Sequence, residues 1–107
     1  MSPRTRISPA EVAGRPLPAG RLSQLVFDAD GVEIRYYAPK ATDPQTPHDR
    51  DEFYFVIAGT GTFERAGETI TFAPGDMLFA AAGEDHRFSG FSEEFATWVL
   101  FYGPKKV

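Results

Sequence analysis

The chain has only two histidines, and both sit beside turns. His48 falls in Thr46-Pro47-His48-Asp49-Arg50-Asp51-Glu52, immediately ahead of a run with strand character. His86 follows Gly83-Glu84-Asp85, at the start of another such run. Two imidazoles and the Glu52 carboxylate make a mixed nitrogen and oxygen set suited to zinc or another divalent first-row metal. With three neighbouring coordination positions open, the same set is the ligand type of non-haem iron oxygenases. Chain geometry adds a condition. Fully extended, the His48 and Glu52 Cα atoms stand roughly 13 Å apart, too far for bonds of about 2.0–2.2 Å to one ion. Asp49-Arg50-Asp51 must therefore bend or bulge.

Other chemistries are poorly served. There is no cysteine, which excludes disulfides, thiolate metal sites and cysteine nucleophiles. No G-x-S-x-G elbow or P-loop is present. Ser89, His86 and Asp85 do not make a triad, because neighbours on one strand face different ways. Gly59-Thr60-Gly61 precedes a strand rather than a helix and reads as a hairpin turn, not a phosphate loop. Eleven Lys and Arg are scattered over a chain of net charge -4, so no basic face for nucleic acid is visible. No apolar run approaches the length of a membrane helix, and no secretory signal follows Arg4 and Arg6. Cytoplasmic is the default expectation.

The elements that must position the histidines are strands. The 107 residues suit one domain, and ten Phe, four Tyr and one Trp supply a compact core. Residues 1–20 carry four prolines and read as an extended arm. Within it, Ser8-Pro9-Ala10-Glu11 carries the signature of a capped helix start that Gly14 and Pro16 soon end. From residue 21, short β-branched and aromatic runs alternate with turn residues. Strands are expected at 22–27, 32–38, 52–58, 62–65, 68–72, 77–80, 86–89 and 96–102. Such spacing without a long helix predicts an all-β sandwich or barrel over residues 21–104, followed by a short basic tail at 105–107. Phe53, Phe55 and Ile57 alternate with Tyr54, Val56 and Ala58, so both faces of that strand are apolar. Residues 98–102 behave alike. Cover on the outer side is expected from a second subunit, giving a homodimer, or alternatively from residues 1–20 folding back.

The pattern resembles the cupin family. Its first motif is written G-x5-H-x-H-x(3,4)-E-x6-G, and His48, Glu52 and Gly59 fall at its spacing. Its second is G-x5-P-x-G-x2-H-x3-N, matched by Gly75, Gly83 and His86. The resemblance implies a single-domain jelly-roll β-barrel holding one divalent ion (zinc, iron, nickel or manganese) through His48, Glu52 and His86. The departures are Thr46 in place of the family's first histidine, Lys40 for the leading Gly, Ala81 for Pro and Gly90 for Asn. Four protein ligands thus shrink to three, with Gln45 or Asp49 as candidate substitute oxygens.

Alternation places Tyr54 and Val56 on the face of Glu52, and Phe88 on that of His86. Arg35, Tyr37 and Trp98 are further candidates for the pocket, Arg35 as a partner for a substrate carboxylate. The plain alternative is that the aromatics are core, His48 a solvated loop residue, His86 a satisfied barrel histidine, and Glu52 a carboxylate paired with Arg50 or Arg35. Two functions follow. One is a small metalloenzyme acting on a small organic molecule by oxygenase-, isomerase- or decarboxylase-like chemistry. The other is a non-catalytic small-molecule-binding or sensing domain, with or without metal.

Overall fold

In the computed structural model, which describes residues 5–104, one short helix and eight strands follow each other along the chain. The helix, α1 (Pro9–Ala13), forms where the cap signature predicts it. Ser8 Oγ accepts from the Glu11 N–H, and the Glu11 carboxylate accepts from the Ser8 N–H at 2.8 Å. That exchange satisfies amides that would otherwise lack partners, and the helix stops at Gly14.

Strands β1 (Gln24–Ala29) and β2 (Val32–Tyr37) are joined through Asp30 and Gly31, whose φ angles are 53° and 79°. Paired positive φ values match the right-handed twist of a tight hairpin. After β3 (Asp51–Ala58), the same solution recurs at Ala66 and Gly67, between β4 (Gly61–Arg65) and β5 (Glu68–Phe72). Strands β6 (Met77–Ala80), β7 (His86–Ser89) and β8 (Ala96–Tyr102) complete the fold. One sheet has the order β1-β2-β8-β3-β6 and the other β5-β4-β7. The expected barrel is thus a two-sheet jelly roll whose hydrogen-bonded ladders do not run round a closed ring. The expected basic tail lies outside the described residues.

Alternation decides what lies between the sheets. Along β3, Glu52, Tyr54 and Val56 are buried while Phe55 is exposed. Along β8, Thr97, Val99 and Phe101 turn inward, leaving Trp98, Leu100 and Tyr102 outward. Tyr54, Phe63, Phe72, Phe88 and Phe95 pack with neighbouring ring centroids 4.8–5.6 Å apart. Edge-on and tilted contacts of this kind add to the burial of the rings. Gly59 closes the end of the fold remote from Glu52. Its φ is +87°, and a Cβ there would stand 2.5 Å from the Phe95 Cα. Only glycine fits.

The outer face of the larger sheet is partly covered by the arm. Val12 is buried, and Gln24 Nε2 donates to the carbonyls of Arg15 and Pro16, each at 2.9 Å. Thr5 and Ile7 join Val26, Ile34, Trp98 and Leu100 around an apolar recess of about 290 Å³. Trp98 is therefore corrected from pocket candidate to outer-face residue, its ring edge-on to Tyr36 at 5.7 Å. Its register partners Tyr36 and Phe55 share that face. Phe55, Met77 and Tyr102 stay exposed. Among the described residues, no helix is long and apolar enough to cross a membrane.

Candidate metal centre

The chain bends at residues 49–50, between His48 and β3, as the span to Glu52 requires. Two hydrogen bonds fix that bend to the turn ahead of His86. Gly83 N–H donates to the His48 carbonyl at 2.8 Å, and Ala82 N–H to Asp51 Oδ1 at 2.9 Å. Gly83 holds φ +81°, a region costly for other residues. Glu52 comes from the five-stranded sheet and His86 from the three-stranded one, so the side chains meet between the layers.

Their donor atoms lie within 4.8 Å of one another. His48 Nδ1 is 2.8 Å from Glu52 Oε1, and His86 Nε2 is 2.7 Å from the same oxygen. His86 Nδ1 stands 2.9 Å from the Glu84 carbonyl, which can only accept, so Nδ1 carries the proton. Nε2 then points into the cluster. It is close to Glu52 in distance, but it makes no hydrogen bond of acceptable geometry and is completely buried. A buried nitrogen lone pair beside a carboxylate oxygen is unfavourable without a cation between or beside them. These residues fit a divalent ion.

Behind the three donors runs a buried polar chain. Tyr54 Oη lies 3.1 Å from Glu52 Oε2 and 3.2 Å from Gln45 Oε1, with one proton for the two acceptors. Gln45 Nε2 donates to Asp43 Oδ2 at 2.9 Å, which fixes the amide orientation. Asp43 also accepts from Tyr37 Oη, from the Gln45 N–H at 3.2 Å and from the Phe88 N–H at 2.9 Å. Asp43 and Gln45 are buried, and Asp43 was not singled out by sequence.

Burial pushes the Glu52 carboxyl up, but the His48 hydrogen bond and the closeness and charge of His86 and His48 outweigh it and hold it below 4.5. Burial pushes His86 down, but the Glu52 contact and charge and the Glu84 carbonyl outweigh that and raise it above 6.5. Burial, then the Glu52 charge, puts Tyr54 well above 10, so its phenol stays a donor.

The remaining candidates divide. Tyr37 and Tyr54 belong to the buried polar chain, while Val56 and Phe88 are enclosed in the core. Thr46 and Asp49 are exposed, Asp49 is not among the clustered donors, and Gln45 is committed to Tyr54 and Asp43. Arg35 and Arg50 pair with Glu33, not Glu52. Two recesses flank the centre. One, of about 620 Å³, has Thr46, Glu64, Arg65, Asp85 and Arg87 on its walls, and there the His86 side chain is wholly enclosed. The other, of about 520 Å³, is lined by Glu33, Arg35, Asp49, Arg50, Phe101 and His48, whose side chain is 32% exposed.

Comparison with known proteins agrees with this fold. An uncharacterised protein of Streptomyces coelicolor is 38% identical over 64 residues, 60% of this chain. The match spans 61% of that relative's length. A crystal structure of a protein of unknown function from Rhizobium leguminosarum superposes with a TM-score of 0.74 at 23% identity, covering 97% of this chain and 100% of that one. A cupin-2 domain protein from Shewanella frigidimarina gives 0.63 at 18% identity, over 75% and 78% of the two chains. A family model described as the cupin domain matches residues 34–102, more than half of the sequence. The chain belongs to the cupin domain family.

Proposed function

We propose that this cupin domain holds one divalent ion through His48, Glu52 and His86 and acts on a small organic molecule admitted from the His48 side. What carries the reading is His86 Nε2, buried without a hydrogen-bond partner and aimed at the same Glu52 oxygen that His48 approaches. Zinc, iron, nickel and manganese all suit this donor set. Such an ion supplies Lewis-acid or redox chemistry to a ligand oxygen. The chain's own part is positional: Glu84 sets the His86 tautomer, Tyr54 orients Glu52, and Gln45 with Asp43 orients Tyr54. A homodimer joined through the exposed Phe55, Met77 and Tyr102 belongs to the same reading.

One observation favours a second, non-catalytic reading, in which the domain binds or senses a small molecule. The phenols nearest the centre, Tyr54 and Tyr37, are buried and committed to internal hydrogen bonds, leaving neither free to pass a proton. Metal content by mass spectrometry, before and after reconstitution, tests the centre in wild type, His48→Ala and His86→Ala. Stoichiometric metal in wild type alone is the expected result. Equally negligible metal in all three ends the metal reading. Tightly held metal without turnover on any small organic molecule leaves the binding reading in front.

A further inference from the structure

The recess on the His48 side has a charge character that the opposite one lacks. Arg21, Arg35 and Arg50 face only Glu33 and Asp49 there, an excess of positive charge. Across the fold, Arg65 and Arg87 are balanced by Glu64 and Asp85. We propose that the His48-side recess takes a small organic acid, its carboxylate held by Arg35 and Arg50 and a second oxygen turned to the metal. Only the second oxygen rests on the metal reading above.

The two guanidinium groups are preset for this. Glu33 accepts from Arg35 Nε and, at 2.7 Å, from Arg50 Nη2, and so anchors both side chains. Burial pushes the Glu33 carboxyl up, but Arg50 and Arg35 outweigh it, so Glu33 remains an ionised anchor. Each guanidinium has five N–H donors. Arg35 spends one more on the Ser23 carbonyl at 3.3 Å, and Arg50 Nε is buried with no partner at all. Donors are therefore left over on both groups, and ordering them costs a ligand little.

Phe101 is shared by Arg50 and the centre. The Arg50 guanidinium lies 5.1 Å from its ring centroid, and the His48 ring packs edge-on to the same ring at 5.0 Å. Arg50, Phe101 and His48 line the one recess, so a carboxylate on Arg50 shares it with the exposed edge of the donor cluster. The recess, about 520 Å³, is within the range of small-molecule sites. A neutral amide of the same shape keeps one acceptor oxygen but loses the charge and turns an NH₂ toward the guanidinium donors, so it leaves some of them unpaired.

Calorimetric titration of the full chain with lactate and malate, and with their neutral amides, tests this in metal-loaded and metal-free protein. The acids are expected to bind about tenfold or more tighter than the amides, and the preference is expected to persist without metal. Arg50→Lys keeps the charge but loses the planar fork, and Arg35→Gln removes one cation. Each should weaken acid binding about tenfold at unchanged metal content. Should a variant fail to fold, the acid–amide comparison on wild type stands alone. Equal affinity for acid and amide overturns the proposal, even where metal is bound stoichiometrically. Acid preference in a protein that never holds metal keeps the carboxylate site and removes only the metal.

Discussion

His86 Nδ1 lies 2.9 Å from the Glu84 carbonyl oxygen, and that contact decides which way the imidazole presents its lone pair. The turn at Gly83 places this carbonyl, so a backbone feature of one loop sets the chemistry of a side chain two residues on. Removing the imidazole removes the donor that nothing else can replace. His86→Ala is expected to abolish stoichiometric metal binding. Tyr54→Phe, which takes away the hydroxyl shared between Glu52 Oε2 and Gln45 Oε1, should lower affinity about ten- to hundredfold. Competition with a metallochromic chelator measures both.

Proton and metal compete for His86 Nε2, and the direction follows from the raised value of the folded metal-free protein. Glu52, His48, Asp43 and Tyr54 face this ring, and Glu52 dominates its charge environment. A pKa above 6.5 means that the proton stabilises the metal-free fold. That contribution is fully present below 6.5 and is lost as pH rises through the folded value. Metal affinity runs the opposite way, rising with pH over that window and levelling beyond it. Glu52, held below 4.5, is already ionised there and adds no slope. Metal titrations at a series of pH values check this; affinity independent of pH above 6.5 would contradict it.

Two glycines of the family pattern should respond differently to alanine. Gly59 and Gly83 both hold positive φ, +87° and +81°, but only Gly59 has backbone in the way of a Cβ. Gly83→Ala is expected to cost about 1–2 kcal/mol from backbone conformation alone. Gly59→Ala adds a steric conflict with Phe95 and should cost about 2–5 kcal/mol. Urea unfolding of the two variants gives the comparison. Gly83→Ala should also loosen the metal, because its N–H ties the His48 loop in place.

Much of this was legible in the chain because turn residues and strand alternation are local signals. Gly31, Gly67 and the Ser8–Glu11 exchange mark their own turns and cap without help from distant contacts. The His48–Glu52–His86 set was legible through spacing, and the bend at residues 49–50 through simple reach. Trp98 was not, because alternation groups residues by face without saying which face is inside. The register with Phe55 and Tyr36 settles that. Asp43 was missed because an acidic residue in a proline-rich loop looks solvated. Its burial depends on Tyr37, Gln45 and Phe88 converging from three parts of the chain.

The outer face poses a question of assembly that hydrodynamics answers. Phe55, paired in register with Met77, is exposed, as is Tyr102 on the neighbouring strand β8. Among the described residues of the arm, Thr5 and Ile7 line the recess that Phe55 also lines. Sedimentation at micromolar concentration is expected to give twice the 11.8 kDa chain mass. Phe55→Glu should return it to a single chain while leaving metal content unchanged. A wild-type protein sedimenting at 11.8 kDa would assign the cover to the arm alone.

Asp43 offers the sharpest test of whether the polar chain behind the metal is one unit. Its two carboxylate oxygens accept from Tyr37 Oη, Gln45 Nε2, and the amides of Gln45 and Phe88. Asparagine has one acceptor oxygen and two N–H donors, so at least one of these donors must then face another donor. In a buried site each unmet group costs about 1–3 kcal/mol, and Asp43→Asn should lose about 2–4 kcal/mol of stability. The Gln45 amide, no longer anchored, is free to turn its NH₂ toward Tyr54. The phenol proton, which Glu52 and Gln45 Oε1 now share, then has Glu52 as its remaining acceptor. Metal affinity should therefore change in Asp43→Asn although no donor to the metal is touched. Unchanged affinity in a folded Asp43→Asn protein would show that the chain supports the fold without reaching the site.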